Sequence, residues 1–208
     1  GTIERNIDEV RAMAESGDID CIFALGQAYL EGFEVDEDHA EGYRLLEKAA
    51  EMGNPDAMGV LMDRLFTGDY ECEDREKVMR YCETSARTGN DRSMLYLGVI
   101  YYEAIGVDQD LKKAVEWFRK ASNKGNAEAK NHLGYLYQNG QGVPKDEKKA
   151  FKLYKQAAAM NSVNAIFQTA ACYESGMGTP QDIEQAISYY EKAAGFDDEE
   201  AMHRLGII

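Results

Sequence analysis

The chain has 208 residues, 44% of them apolar, with 23 Lys and Arg against 38 Asp and Glu. That length fits one ordinary domain or a short array of repeats, and the apolar fraction is enough to bury a core, which argues against disorder. The net charge of −15 argues against wrapping bare nucleic acid, and no apolar run approaches the roughly 18–20 residues of a membrane span, nor is a secretory leader visible in these residues.

The first expected element is a helix over Ile3 to Ser16, and after it a period of 36 residues governs the sequence. Leu25, Leu61, Leu97, Leu133, Thr169 and Leu205 form one column of that period. Gly26, Met62, Gly98, Gly134, Ala170 and Gly206 form the next. Each period reads as two helices of about 14 residues. The first (A) starts after Asp18, Asn54, Asn90, Asn126, Ser162 or Asp198, and the second (B) after Asp38, Asp74, Asp110, Asp146 or Asp182. All are residues whose side-chain oxygen can accept from an orphan first-turn N–H. Helix B is expected to end in a left-handed turn at Gly17, Gly53, Gly89, Gly125, Asn161 and Asp197, and helix A to stop at Gly32, Gly68, Gly140 and Gly176.

On helix A the small residues fall on the same face as Leu and Tyr at ~100° per residue, so they read as core positions that let a neighbouring helix come close. Ala114, Trp117 and Ala121 on one helix B, and Ala150, Leu153 and Ala157 on the next, read the same way. The fold class is therefore all-α.

The run from Leu133 to Ala158, LGYLYQNGQGVPKDEKKAFKLYKQAA, resembles the Sel-one-like repeat, a longer cousin of the tetratricopeptide repeat. Leu97 to Ser122 and Thr169 to Ala194 are similar, and the resemblance extends over essentially the whole chain. It implies a right-handed α/α superhelical solenoid of 36-residue helix-turn-helix repeats whose A helices line a concave groove. It also implies an adaptor role in protein assembly and no shared catalytic residues. The expected division is a half repeat at 1–16 (helix B), full repeats at 17–52, 53–88, 89–124, 125–160 and 161–196, and a half repeat at 197–208 (helix A).

The second repeat departs from this pattern. Met62 and Leu65 replace Gly and Tyr, and Gly68 to Cys72 replaces Gly-x-Gly-Val, so wider helix spacing is expected there. A secreted branch of the family pairs cysteines eight residues apart, but those seats hold Ala50/Met58, Ala86/Met94, Ser122/Lys130, Ala158/Ile166 and Ala194/Met202. The missing staple favours a reduced, cytoplasmic setting over a secreted one. Both ends fall mid-repeat, which suggests a piece of a longer array or self-association through exposed terminal helices.

Charge is unevenly distributed, with a net of −15 over residues 1–74, +6 over 75–155 and −6 over 156–208. If the family geometry holds, the helix A positions away from the core stripe line the groove, and they include Phe66, Arg92, Tyr102, Asn131, Tyr135, Gln138, Asn139 and Phe167. Aromatic anchors with nearby amides suit a peptide partner, here a basic or apolar segment. His39, His132 and His203 lie in different repeats, no zinc-type cysteine pair and no Ser-x-x-Lys occur, and the Gly-x-Gly turns lack a following Gly-Lys-Ser/Thr. No catalytic residue, metal or cofactor is expected, and neither nucleic acid nor membrane is expected as a partner. The expected function is a protein-interaction scaffold. A regulatory or chaperone-like module of a longer chain is the alternative, with a hydrolase or cell-wall-binding protein behind it.

Overall fold

The computed structural model describes residues 6–72 and 74–206, the Arg75 side chain excepted. Its helices are α1 (Ile7–Glu15), α2 (Ile19–Glu31), α3 (His39–Glu51), α4 (Pro55–Thr67), α5 (Arg75–Arg87) and α6 (Asp91–Glu103). They continue as α7 (Leu111–Asn123), α8 (Ala127–Asn139), α9 (Glu147–Ala158), α10 (Val163–Ser175), α11 (Ile183–Ala194) and α12 (Glu199–Leu205). No strand occurs among the described residues.

The helix starts follow the side chains that precede them. Asp18, Asn54, Asn126, Ser162 and Asp198 each accept from the backbone N–H three residues on, as do Asp38, Asp74, Asp110, Asp146 and Asp182. The first helix starts later than Ile3, because Asn6 caps it by accepting from Asp8 N at 2.7 Å, and residues 3–5 lie outside the described residues. The turns after helix B are left-handed at Gly17, Gly53, Gly89, Gly125, Asn161 and Asp197, which satisfies carbonyls that the helix leaves open.

Two compact units result, residues 1–96 and 97–208. In the first, α1 to α4 pack in sequence and α5 packs on α4. In the second, each helix from α7 to α12 packs on its successor, and α8 also touches α10. The cores of both units interleave small and large residues. A Cβ on Gly98 would sit 2.5 Å from the Phe118 ring, and one on Gly134 would sit 2.6 Å from that of Tyr154. Phe118 and Tyr154 are fully buried because the facing glycine leaves them room.

Met62, which takes the glycine's place in the second repeat, is also fully buried. On α5 the place of Phe118 and Tyr154 is held by the small Cys82, likewise fully buried. The large side chain has moved from helix B to helix A, so the divergent repeat conserves volume in its seam. Its loop differs too: Asp69 N and Tyr70 N both donate to the Arg64 carbonyl, and the Tyr70 hydroxyl donates to Glu47 on α3. Cys21, Cys82 and Cys172 are buried, Cys72 is half-buried, and no disulfide joins these cysteines.

Candidate functional site

In the first unit, α4 and the start of α6 bring four side chains together. Asp63 and Phe66 stand one turn apart on α4, as do Arg92 and Tyr96 on α6. The Tyr96 hydroxyl donates to Asp63 Oδ1 at 2.6 Å, and Arg92 Nε lies 3.0 Å from the same oxygen. The Phe66 ring stacks on Tyr96 with centroids 4.2 Å apart and planes 4° from parallel. Burial, then the hydrogen bond to Asp63, pushes the Tyr96 phenol up to about 12. A cleft of ≈ 310 Å³ opens beside this cluster, with Gln27, Leu30 and Glu31 from α2 facing Asp63 and Thr67 of α4, and Arg92 at its edge. Both of its arginines already have an acid, Arg92 with Asp63 and Arg64 with Asp69 at 3.5 Å.

In the second unit the A-helix face carries the other six candidates. Tyr135 is 44% exposed and meets the half-buried Tyr102 edge to face at 6.4 Å. Gln138 is held by the Tyr154 hydroxyl, which donates to its Oε1 at 2.6 Å. One repeat later, Tyr190 donates to Glu174 Oε2 at 2.6 Å. Asn139 Nδ2 donates to the Tyr135 carbonyl at 3.0 Å in its own helix. Asn131 is half-buried with its amide oxygen shut off and unpartnered, and Phe167 is half-buried against the Tyr190 ring at 5.3 Å.

Neighbouring rings therefore cover part of Phe66 and Phe167, and among the candidate aromatics Tyr135 is the one left widely exposed. Asp63, a groove-lining position of helix A by the same helical arithmetic, organises the first cluster together with Tyr96, which that arithmetic does not single out. Their signal was an Arg and a Tyr one turn apart with an acid 29 residues before the Arg.

His132 stacks on Phe118 at 4.7 Å, and burial draws its pKa below the ordinary value, leaving the imidazole neutral and apolar in role. Burial pushes the Cys82 and Cys172 thiols up to about 12, so neither is a thiolate at neutral pH. Among the described residues no three His, Cys, Asp or Glu converge so as to hold a metal ion, and no helix is long and apolar enough to cross a membrane.

A Sel1 repeat protein from Oxalobacter formigenes has a similar structure, with a TM-score of 0.82 at 25% identity over 90% of this chain and 75% of that one. A protective antigen of uropathogenic Escherichia coli with an SLR fold aligns with a TM-score of 0.58 at 26% identity. That alignment covers 99% of this chain and 52% of the antigen, so the chain spans about half its length. An immunity protein of Pseudomonas aeruginosa shares the fold alone, at 17% identity and a TM-score of 0.54 over 95% of this chain and 77% of that one. No curated protein sequence matches the chain. The Sel1 repeat model matches residues 19–54, 91–126, 127–162 and 163–194, passing over the stretch that holds Met62 and Cys82, and the chain belongs to the Sel1 repeat family.

Proposed function

We propose that the chain is a binding module that holds a basic or apolar segment of a partner protein against the A-helix face of its second unit, around Tyr102 and Tyr135. Sel1 repeat proteins generally serve as protein-interaction scaffolds, and this reading adds the face and the character of the segment. The observation that carries it is Tyr135, 44% exposed on α8 with its ring braced by Tyr102. A preorganised aromatic loses little entropy on binding and offers both apolar area and a π face. Glu103 lies near enough to act on the Tyr102 phenol, so a Lys or Arg is favoured over this pair of rings. Asn131, Gln138, Asn139 and Phe167 frame this face. Phe66 and Arg92, in the first unit's cluster, form a separate contact.

The test is selection from a random peptide library on immobilised protein, followed by titration of the selected peptides against wild type and Tyr102→Ala/Tyr135→Ala. Selected peptides rich in Lys, Arg or apolar residues that bind the variant at least about tenfold more weakly support the reading. Equal binding by a variant that remains helical by circular dichroism refutes it.

A further inference from the structure

The second unit carries a face of opposite character on the outer sides of α7 and α9. Lys112, Lys113, Arg119 and Lys120 are exposed on α7, and Lys148, Lys149, Lys152 and Lys155 on α9. Against these eight cations the two helices carry only Glu116 and Glu147, and Glu147 is already engaged by Lys145 at 2.8 Å. What steadies the cations is rings. Lys113 lies over Tyr101 at 5.0 Å, Lys120 over Trp117 at 3.8 Å and Lys149 over Tyr137 at 4.2 Å. Lys113 also faces Asp110 at 3.8 Å, whereas the ring contacts of Lys120 and Lys149 restrict a lysine without neutralising it, so their charge stays available while the entropy of ordering is partly spent.

The cations converge most closely at Tyr137. Its side chain comes from α8 and is buried, its hydroxyl accepts from Arg119 Nη2 of α7 at 2.8 Å, and Lys149 of α9 covers its ring. Burial pushes this phenol up, but hydrogen bonds and charge from Lys149 and Arg119 outweigh it and the net shift is downward. Two helices thus direct positive charge at one oxygen.

We infer that the outer face of α7 and α9 is a second docking surface, for an acidic segment of a partner protein, with one Asp or Glu carboxylate seated between Arg119 and Lys149. Charge complementarity selects the partner. An anionic membrane fits poorly, because none of the large exposed apolar side chains lies on the outer face of these helices to enter a bilayer. Nucleic acid fits poorly, because the chain carries −15 overall and the rings that bases would stack on are covered by the protein's own lysines.

The test is fluorescence anisotropy with the full chain and a labelled peptide of alternating Asp, Glu and Ser, at low and moderate salt. The wild type is compared with Arg119→Glu/Lys149→Glu, and with Arg44→Glu/Lys48→Glu as a charge-matched control in the first unit. The expected result is salt-sensitive binding that falls at least about tenfold in the first variant and stays within about twofold of wild type in the control. Tyr102→Ala/Tyr135→Ala should keep this binding, so failure of either face is read separately. The inference is overturned by no binding of the acidic peptide, by equal loss in the control, or by tighter binding to a single-stranded oligonucleotide, to phosphatidylserine vesicles or to a second copy of the chain.

Discussion

The ring of Tyr154 lies so close to Gly134 that a methyl group on that glycine would stand 2.6 Å from Cε1. The closeness lets the Tyr154 hydroxyl lie along α8 and reach Gln138, one turn beyond Gly134 on the same face. One contact thus serves both the seam and the candidate binding face.

Gly134→Ala should destabilise the protein by about 1–3 kcal/mol, since a buried aromatic ring must shift. Thermal unfolding checks this, with an expected fall of roughly 2–4 °C per kcal/mol. Adding Tyr154→Leu should recover part of the loss, because it moves this seam toward the large-small arrangement of Met62 and Cys82. A double variant no better than the sum of its parts would show that the seam does not trade volume.

Ala104 sits at φ 59°, where other repeats have Gly32, Gly140 and Gly176. A Cβ in the left-handed region costs about 1–2 kcal/mol, offset in part by the greater freedom of glycine in the unfolded chain. Ala104→Gly should therefore raise stability by about 0.5–1 kcal/mol in denaturant titration. A lower midpoint would contradict the strain argument.

Asp63 accepts from Tyr96 and faces Arg92 at once. Asp63→Ala should cost about 1–3 kcal/mol by leaving the buried phenol unpaired. A cycle with Tyr96→Phe should give a coupling of about 1 kcal/mol, whereas additive effects would mean the hydrogen bond contributes nothing net.

Alkaline pH should loosen the fold through its tyrosines. Tyr96 is raised to about 12, and Tyr154 and Tyr190 are raised as well, in each case first by burial. A raised folded-state value means the folded chain holds protons that the unfolded chain has released. The stability involved is complete below about pH 10, the ordinary value of tyrosine, and is lost as pH rises through 12. Phenolate absorbance should show these groups ionising with unfolding and one group, Tyr137, ionising early. Tyr137→Phe should remove that early fraction alone.

The sequence made the helix boundaries readable because each one rests on a single side chain within a few residues of it, as with Asp110 before α7 or Asn126 before α8. Seam positions were readable for a similar reason, since Gly98 and Gly134 recur at a fixed offset. The groove residues were less so. Helical arithmetic gives the direction of Phe66 and Phe167 but not the rings of Tyr96 and Tyr190 that come to rest on them. Asp63 takes its role from partners on another helix, which a period along the chain does not reveal. The fork at Tyr137 was hidden in the same way, because its cations come from α7 and α9 and its oxygen from α8.

The inverted pair of Met62 and Cys82 bears on how a chain of near-identical parts avoids mismatching itself. Tandem helices of similar sequence can pair with the wrong neighbour while folding, and such exchanges are a recognised hazard of repeat arrays. A helix with Met62 cannot accept Phe118 or Tyr154 in its seam, and a helix with Gly98 or Gly134 set against Cys82 would leave a hole the size of a ring. The odd repeat thus acts as a keyed joint: Met62 on α4 suits the small Cys82 on α5 and disfavours the rings that the later repeats offer, which marks one place in the register of the array.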